Sequence, residues 1–138
     1  MRNTSLHRVQ VDYGYAAAAT GNAVLIARIR RGRGAHLVRV PFSIAAPEEC
    51  AERSAAYGAL LALLDALRGF GHSIATVRVP DRELLDDLRE HRSLPYPLHR
   101  AYIYLLCSLR ATPTFALETG RAEDLSELAR AELSRIAA

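Results

Sequence analysis

The chain predicts an α/β domain: a mixed five-stranded sheet with helices on its faces. Two observations carry this. The first third holds three strand-like runs joined by short small-residue or glycine turns, the pattern of an antiparallel meander. The remainder alternates helix-like with strand-like periodicity. At 138 residues the chain suits one core, so 1–138 is read as one domain. Half of the residues are apolar and 24% are charged, an ordinary globular composition.

From Arg8 to Tyr15, Val9, Val11 and Tyr13 alternate with Gln10 and Asp12, the period of two expected of a strand, so Asp12 falls on the face opposite the valines. Ala23 to Arg31 reads as a second strand and His36 to Phe42 as a third, with Gly32-Arg33-Gly34 as the hairpin turn. Pro47 sits where a helix should begin, and Glu48 and Glu49 suit its positive end. From Cys50 to Leu67, Tyr57, Leu60, Leu61, Leu64 and Leu67 recur at spacings of three and four, and Gly69 and Gly71 close the helix.

Ile74 to Val79 is a β-branched fourth strand. Asp81 is placed to cap a helix running to Glu90, with Leu84, Leu85 and Leu88 inward. Pro95 and Pro97 mark a break before a helix from Leu98 to Leu109, which carries Tyr102, Ile103, Leu105 and Leu106. Thr114 to Leu117 is a short fifth strand. The last helix, Ala122 to Ile136, is expected to turn Leu125, Leu128, Ala129 and Leu133 inward.

All eighteen basic residues are Arg, and the net charge is +3. Arg suits bidentate phosphate contact, although an Arg-only chain also follows from a GC-rich genome. Arg28 and Arg30 share one face of the second strand, and with Arg31 and Arg33 they offer a candidate nucleic-acid contact or a solvated edge. Cys50 and Cys107 form no metal or disulfide pattern, and the five His have no ligand spacing. The first residues lack an apolar signal core and no apolar run approaches the roughly 20 residues that cross a bilayer, so the expected setting is the cytoplasm without membrane contact.

Three carboxylate-bearing segments remain: V-D-Y-G-Y at Asp12, V-P-D-R-E-L-L at Asp81, and A-E-D-L-S-E-L-A at Glu123 and Asp124. Asp81 has a plain reading as a helix cap, and Glu123 and Asp124 as complements to a helix dipole. An Asp inside an apolar strand needs a partner or a solvated face, which makes Asp12 harder to dismiss.

In order and spacing these segments, with A-A-Y-G-A-L-L-A-L-L at Ala55 to Leu64, resemble the ribonuclease H-like domain over nearly the whole chain. The resemblance implies a three-stranded antiparallel meander followed by two parallel strands, the fourth beside the first and the fifth outside it. It also implies Mg2+ (or Mn2+) ions at a carboxylate site that hydrolyses phosphodiesters, because hard cations take oxygen ligands. Asp12, Asp81 and Glu123 would be the catalytic ligands, with Asp124 a neighbouring candidate.

Three departures bear on activity. Ala56 stands at the family's helical Glu, and a methyl group ligates nothing; Glu52, one turn earlier, is the available substitute. Tyr15 and four alanines replace a glycine-rich turn. The Gly-His loop before the last helix is missing. The expected function is therefore a ribonuclease H-like protein that binds RNA or an RNA–DNA hybrid with weak or lost hydrolysis. The alternatives are an active metal-dependent ribonuclease or endonuclease, and a homodimeric scaffold pairing through the meander's edge.

Overall fold

The computed structural model describes residues 8–44, 50–90 and 94–137. The expectations for the N-terminal residues before Arg8, and for Pro47, Glu48 and Glu49, lie outside the described residues. Among these, the chain runs β1 (Arg8–Ala17), β2 (Asn22–Arg31), β3 (Gly34–Ser43), α1 (Ala51–Gly69), β4 (Ile74–Val79), α2 (Arg82–Glu90), a 3-10 turn (Tyr96–Leu98), α3 (His99–Ala111), β5 (Phe115–Thr119) and α4 (Glu123–Ala137). The strands form one sheet in the order β3-β2-β1-β4-β5. β1 pairs antiparallel with β2 and β2 with β3, while β4 runs parallel to both β1 and β5, as the mixed-sheet expectation requires. No helix among the described residues is long and apolar enough to cross a membrane.

Local chemistry sets the turns. β2 and β3 are joined by Gly32 and Arg33, and Gly32 takes φ 60, the left-handed value a glycine-first hairpin turn needs. At the end of α1 the amides of Gly71 and His72 donate to the carbonyls of Arg68 and Leu67, each at 3.0 Å, with Gly71 at φ 88. This crossed pair satisfies carbonyls that the helix leaves open. At the other end Cys50 is not helical as the periodicity suggests: it is the N-cap, at φ 50 and ψ 40.

The sheet has two different faces. Val9, Val11 and Tyr13 of β1, Leu25 and Ile29 of β2 and Val77 of β4 are buried in the main core with Tyr57, Leu60 and Leu64 of α1, Leu84 and Leu85 of α2, and Leu105 of α3. Arg68 of α1 donates to the Ser108 hydroxyl of α3 at 2.7 Å, tying the two helices. The opposite face is covered by α4 through a smaller cluster of Val24, Ile26, Leu125 and Ala129. Leu128 and Ile103 share helical spacing with core residues but are exposed, because the neighbouring elements cover narrower stripes than the apolar positions offer.

Helix α4 lies so close to β1 that a Cβ built on Gly14 would stand 2.3 Å from the Ser126 backbone nitrogen and 2.7 Å from its Cα. Backbone cannot yield as a side chain does. Gly14→Ala is expected to cost roughly 1–3 kcal/mol by forcing α4 outward. Gly69→Ala, where a Cβ meets nothing within 4 Å, is expected to be neutral or mildly stabilising. Urea unfolding of both variants checks the contrast.

Candidate functional site

The β1–β4 register decides which acids can meet. Asp12 pairs with Arg28 on one side and Arg78 on the other, on the α4-covered face that Gly14 and Ala16 share. Its carboxylate, in a residue only 5% exposed, lies 3.4 Å from the Arg30 guanidinium and 3.4 Å from that of Arg78. Its Oδ1 makes an ionic contact there without hydrogen-bond geometry. The first expected ligand is thus an internal counter-ion.

Asp81 belongs to the other face. It follows β4 directly and is half-buried at a cavity of about 650 Å3 that Tyr15, Glu52, Ala56 and Tyr57 also line. The Tyr15 hydroxyl donates to both Asp81 carboxylate oxygens, 2.9 Å from each. Burial raises the Asp81 pKa, and the Tyr15 hydrogen bond and the Arg121 charge oppose that rise. Burial, followed by the Asp81 charge and its hydrogen bond, pushes the Tyr15 phenol far above its ordinary range, so it remains a donor. Tyr13 stacks on Tyr15 with ring centroids 6.4 Å apart, so the β1 side chains at the Asp81 end of that face are aromatic rather than acidic.

Asp12 is paired with Arg30 and Arg78 and Asp81 with Tyr15, so the two acids expected to share a site have separate partners. Both segments occupy the expected places in the chain, but Asp12 leaves the sheet on the α4 face. Glu123 does reach the Asp81 side: the two border one cavity of about 440 Å3. It is exposed and lies 3.6 Å from Arg121. Asp124 faces the sheet instead, where Arg28 donates to it and lowers its pKa. Glu52 borders the same cavity as Ala56, the arrangement required of a substitute ligand. Among the described residues, however, no three His, Cys, Asp or Glu side chains are grouped to hold a metal ion. The donors present do not fit a two-cation centre.

Of the four arginines read as a nucleic-acid contact, Arg28 and Arg30 bind Asp124 and Asp12, while Arg31 and Arg33 are exposed at the hairpin. The sequence reading missed Tyr15 as the partner of Asp81, although the parity of Val9, Val11 and Tyr13 extends to it. It also missed Asp87, fully buried on α2, which accepts from Arg53 at 2.6 Å and from the Tyr57 hydroxyl at 2.9 Å. No signal in an amphipathic helix marks which of its acids turns inward.

No family model matches the chain, and no curated protein does. Solved structures match its fold. RNase H1 from the halophilic archaeon Halobacterium salinarum aligns at 20% identity and TM-score 0.65, covering 91% of this chain and 98% of that one. LC11-RNase H1, isolated from compost by a metagenomic approach, aligns at 14% identity and TM-score 0.73, covering 95% and 99%. LC11-RNase H1 in complex with an RNA/DNA hybrid aligns at 12% and 0.61, covering 86% and 89%. The chain has the ribonuclease H-like fold.

Tyr15→Phe isolates the new contact. Without its donor, the Asp81 pKa is expected to rise further, as followed by carboxyl NMR titration. At neutral pH the variant is expected to lose roughly 1–3 kcal/mol, the cost of a buried acceptor left unsatisfied. The sign follows from the pKa: a raised value means that folding favours the protonated acid. The deficit should shrink as pH falls through the Asp81 pKa and be full above it.

Proposed function

We propose that this chain is a nucleic-acid-binding protein of the ribonuclease H-like fold whose phosphodiester hydrolysis is weak or lost. The observation that carries the reading is the Tyr15–Asp81 pair beside Ala56. A carboxylate whose two oxygens both accept from a phenol, next to a methyl group where the resemblance expects Glu, makes a poor start for a cation centre. The Glu123 and Asp124 charges are likewise compensated by Arg121 and Arg28.

Binding of RNA or an RNA–DNA hybrid rests on the fold and on likeness to a structure that holds such a hybrid. It rests as well on the exposed Arg31 and Arg33, whose phosphate contacts need no catalytic ion. The competing nuclease reading would use Asp81 with Glu52 and Glu123, and requires Tyr15 to swing aside. A scaffold reading has one observation in its favour: β3, ten residues long, is an outer strand of the sheet with Leu37 exposed.

A labelled RNA–DNA hybrid followed by fluorescence anisotropy and by gel tests these readings together. The expected outcome is salt-sensitive binding, weakened in Arg31→Ala/Arg33→Ala, with a salt slope shallower by about 1 for each phosphate the variant no longer neutralises. No cleavage is expected in Mg2+ or Mn2+. Tyr15→Asp/Ala56→Glu, which supplies carboxylates on the Asp81 face, is expected to raise Mn2+ affinity measured by calorimetry. Efficient cleavage by the unmodified chain, abolished by Asp81→Asn, would establish the nuclease instead. No binding at low salt would leave the scaffold reading.

A further inference from the structure

Away from the Asp81 cavity, α3 shows an outer face that no other described element covers. Tyr96 is 84% exposed, Tyr104 54% and Ile103 55%. They border a groove of about 640 Å3 between α3 and α1, floored by Ser54, Gly58 and Leu61. Aromatic area left in water on this scale calls for an occupant.

The Tyr96 ring is held in place. The His99 Nε2–H donates to the Leu94 carbonyl at 2.8 Å, and the fixed imidazole meets the Tyr96 ring with centroids 5.5 Å apart and planes at 65°. Arg100 and Tyr104 follow one turn apart on α3, with a rise of roughly 6 Å between them, and Tyr96 of the preceding 3-10 turn lines the same groove. Along the chain Arg100 thus falls between the two tyrosines. The charges are of one sign: α3 contains Arg100 and Arg110 and no carboxylate, and the groove's lining is equally free of acids.

We propose that this groove binds single-stranded nucleic acid, with bases stacked on Tyr96 and Tyr104 and a backbone phosphate paired with Arg100. Flat aromatic platforms interleaved with a cation are what an unpaired strand needs, because every base has a π-face and every nucleotide a negative charge. A second copy of the chain is disfavoured here, since a two-fold contact of α3 with α3 would set Arg100 against the Arg100 of the other copy with no carboxylate in the groove to compensate. Ile44 borders both this groove and the Asp81 cavity. Single-strand capture here does not require the hybrid binding proposed above, which uses Arg31 and Arg33.

The test is anisotropy of a fluorescein-labelled oligothymidylate, and separately of an oligouridylate, with the full chain at low salt. Tyr96→Ala/Tyr104→Ala is expected to weaken binding by at least roughly tenfold, while Tyr96→Phe/Tyr104→Phe, which keeps the π-faces, stays near the unmodified value. Arg100→Ala should weaken it too and reduce the salt slope by about 1. Affinity for the RNA–DNA hybrid should be unchanged in all three variants. The inference is overturned if neither single strand binds, or if the double-alanine variant binds them as the unmodified chain does. A double-alanine variant that instead turns a dimer into a monomer in sedimentation would also overturn it, in favour of a self-association surface. Loss of hybrid binding alone, with single strands still captured, would sink the proposed function and leave this groove standing.

Discussion

Along β1 successive side chains leave the sheet on opposite faces, and the rest of the molecule is arranged around which residue falls on which side. Val9, Val11, Tyr13 and Tyr15 point toward α1; Asp12, Gly14 and Ala16 point toward α4. Because β1 is the central strand, hydrogen-bonded on both edges, its register with β2 and β4 fixes the neighbours of every one of these residues. A slip by one position would put Asp12 among Leu60 and Leu64 and Tyr13 against α4, and no neighbouring pair could absorb that exchange.

The charge distribution follows from this parity. On the α4 face Asp12 is nearly covered, and a buried carboxylate persists only with compensation. Arg30 and Arg78 provide it from the strands on either side, while Arg28–Asp124 and Arg39–Glu132 fasten α4 to β2 and β3. The partly exposed arginines make these contacts weak one by one. Their effect is orientation: they flank the small apolar cluster and hold α4 where Gly14 allows its backbone to touch the sheet. On the other face the equivalent device is Asp87, whose bonds from Arg53 and Tyr57 lock α2 to α1 beside the Asp81 cavity. Removing one partner from such a pair leaves a charge with no solvent to receive it.

Much of this was legible in the sequence. Strand parity put Asp12 opposite the valines, the glycines marked the hairpin and the end of α1, and the order of the acidic segments pointed to the fold. Alignment with A-x-Y-x-A-L-L found Ala56, which borders the cavity as that reading required. What stayed hidden was the face on which Asp81 emerges. A one-dimensional pattern fixes parity within a strand, but β4 ends at Val79 and the direction taken after Pro80 depends on how α2 packs. The exposure of Leu128 and Ile103 was illegible for a related reason: periodicity reports which positions share a stripe and not how much of it a neighbour covers.

Tyr15 is the partner that stabilises the Asp81 carboxylate. A half-buried carboxylate with a raised pKa is stabilised either by positive charge or by hydrogen-bond donors aimed at both oxygens. Here the donor is a phenol supplied by β1, and Arg121 adds charge from beyond β5. With those partners Asp81 holds the β4–α2 junction against β1 as a structural element. The fold accommodates the pair because Tyr15 lies near the strand's end, where its ring stacks on Tyr13 and it borders the cavity. The same geometry explains why a carboxylate at Tyr15 alone would be a poor substitution: beside Asp81 it would create two like charges with no donor between them, and one acid would take up a proton. With carboxylates at positions 15 and 56 beside Asp81, either a proton or a divalent ion would relieve the repulsion, and for that reason metal affinity reads this pocket more directly than stability does.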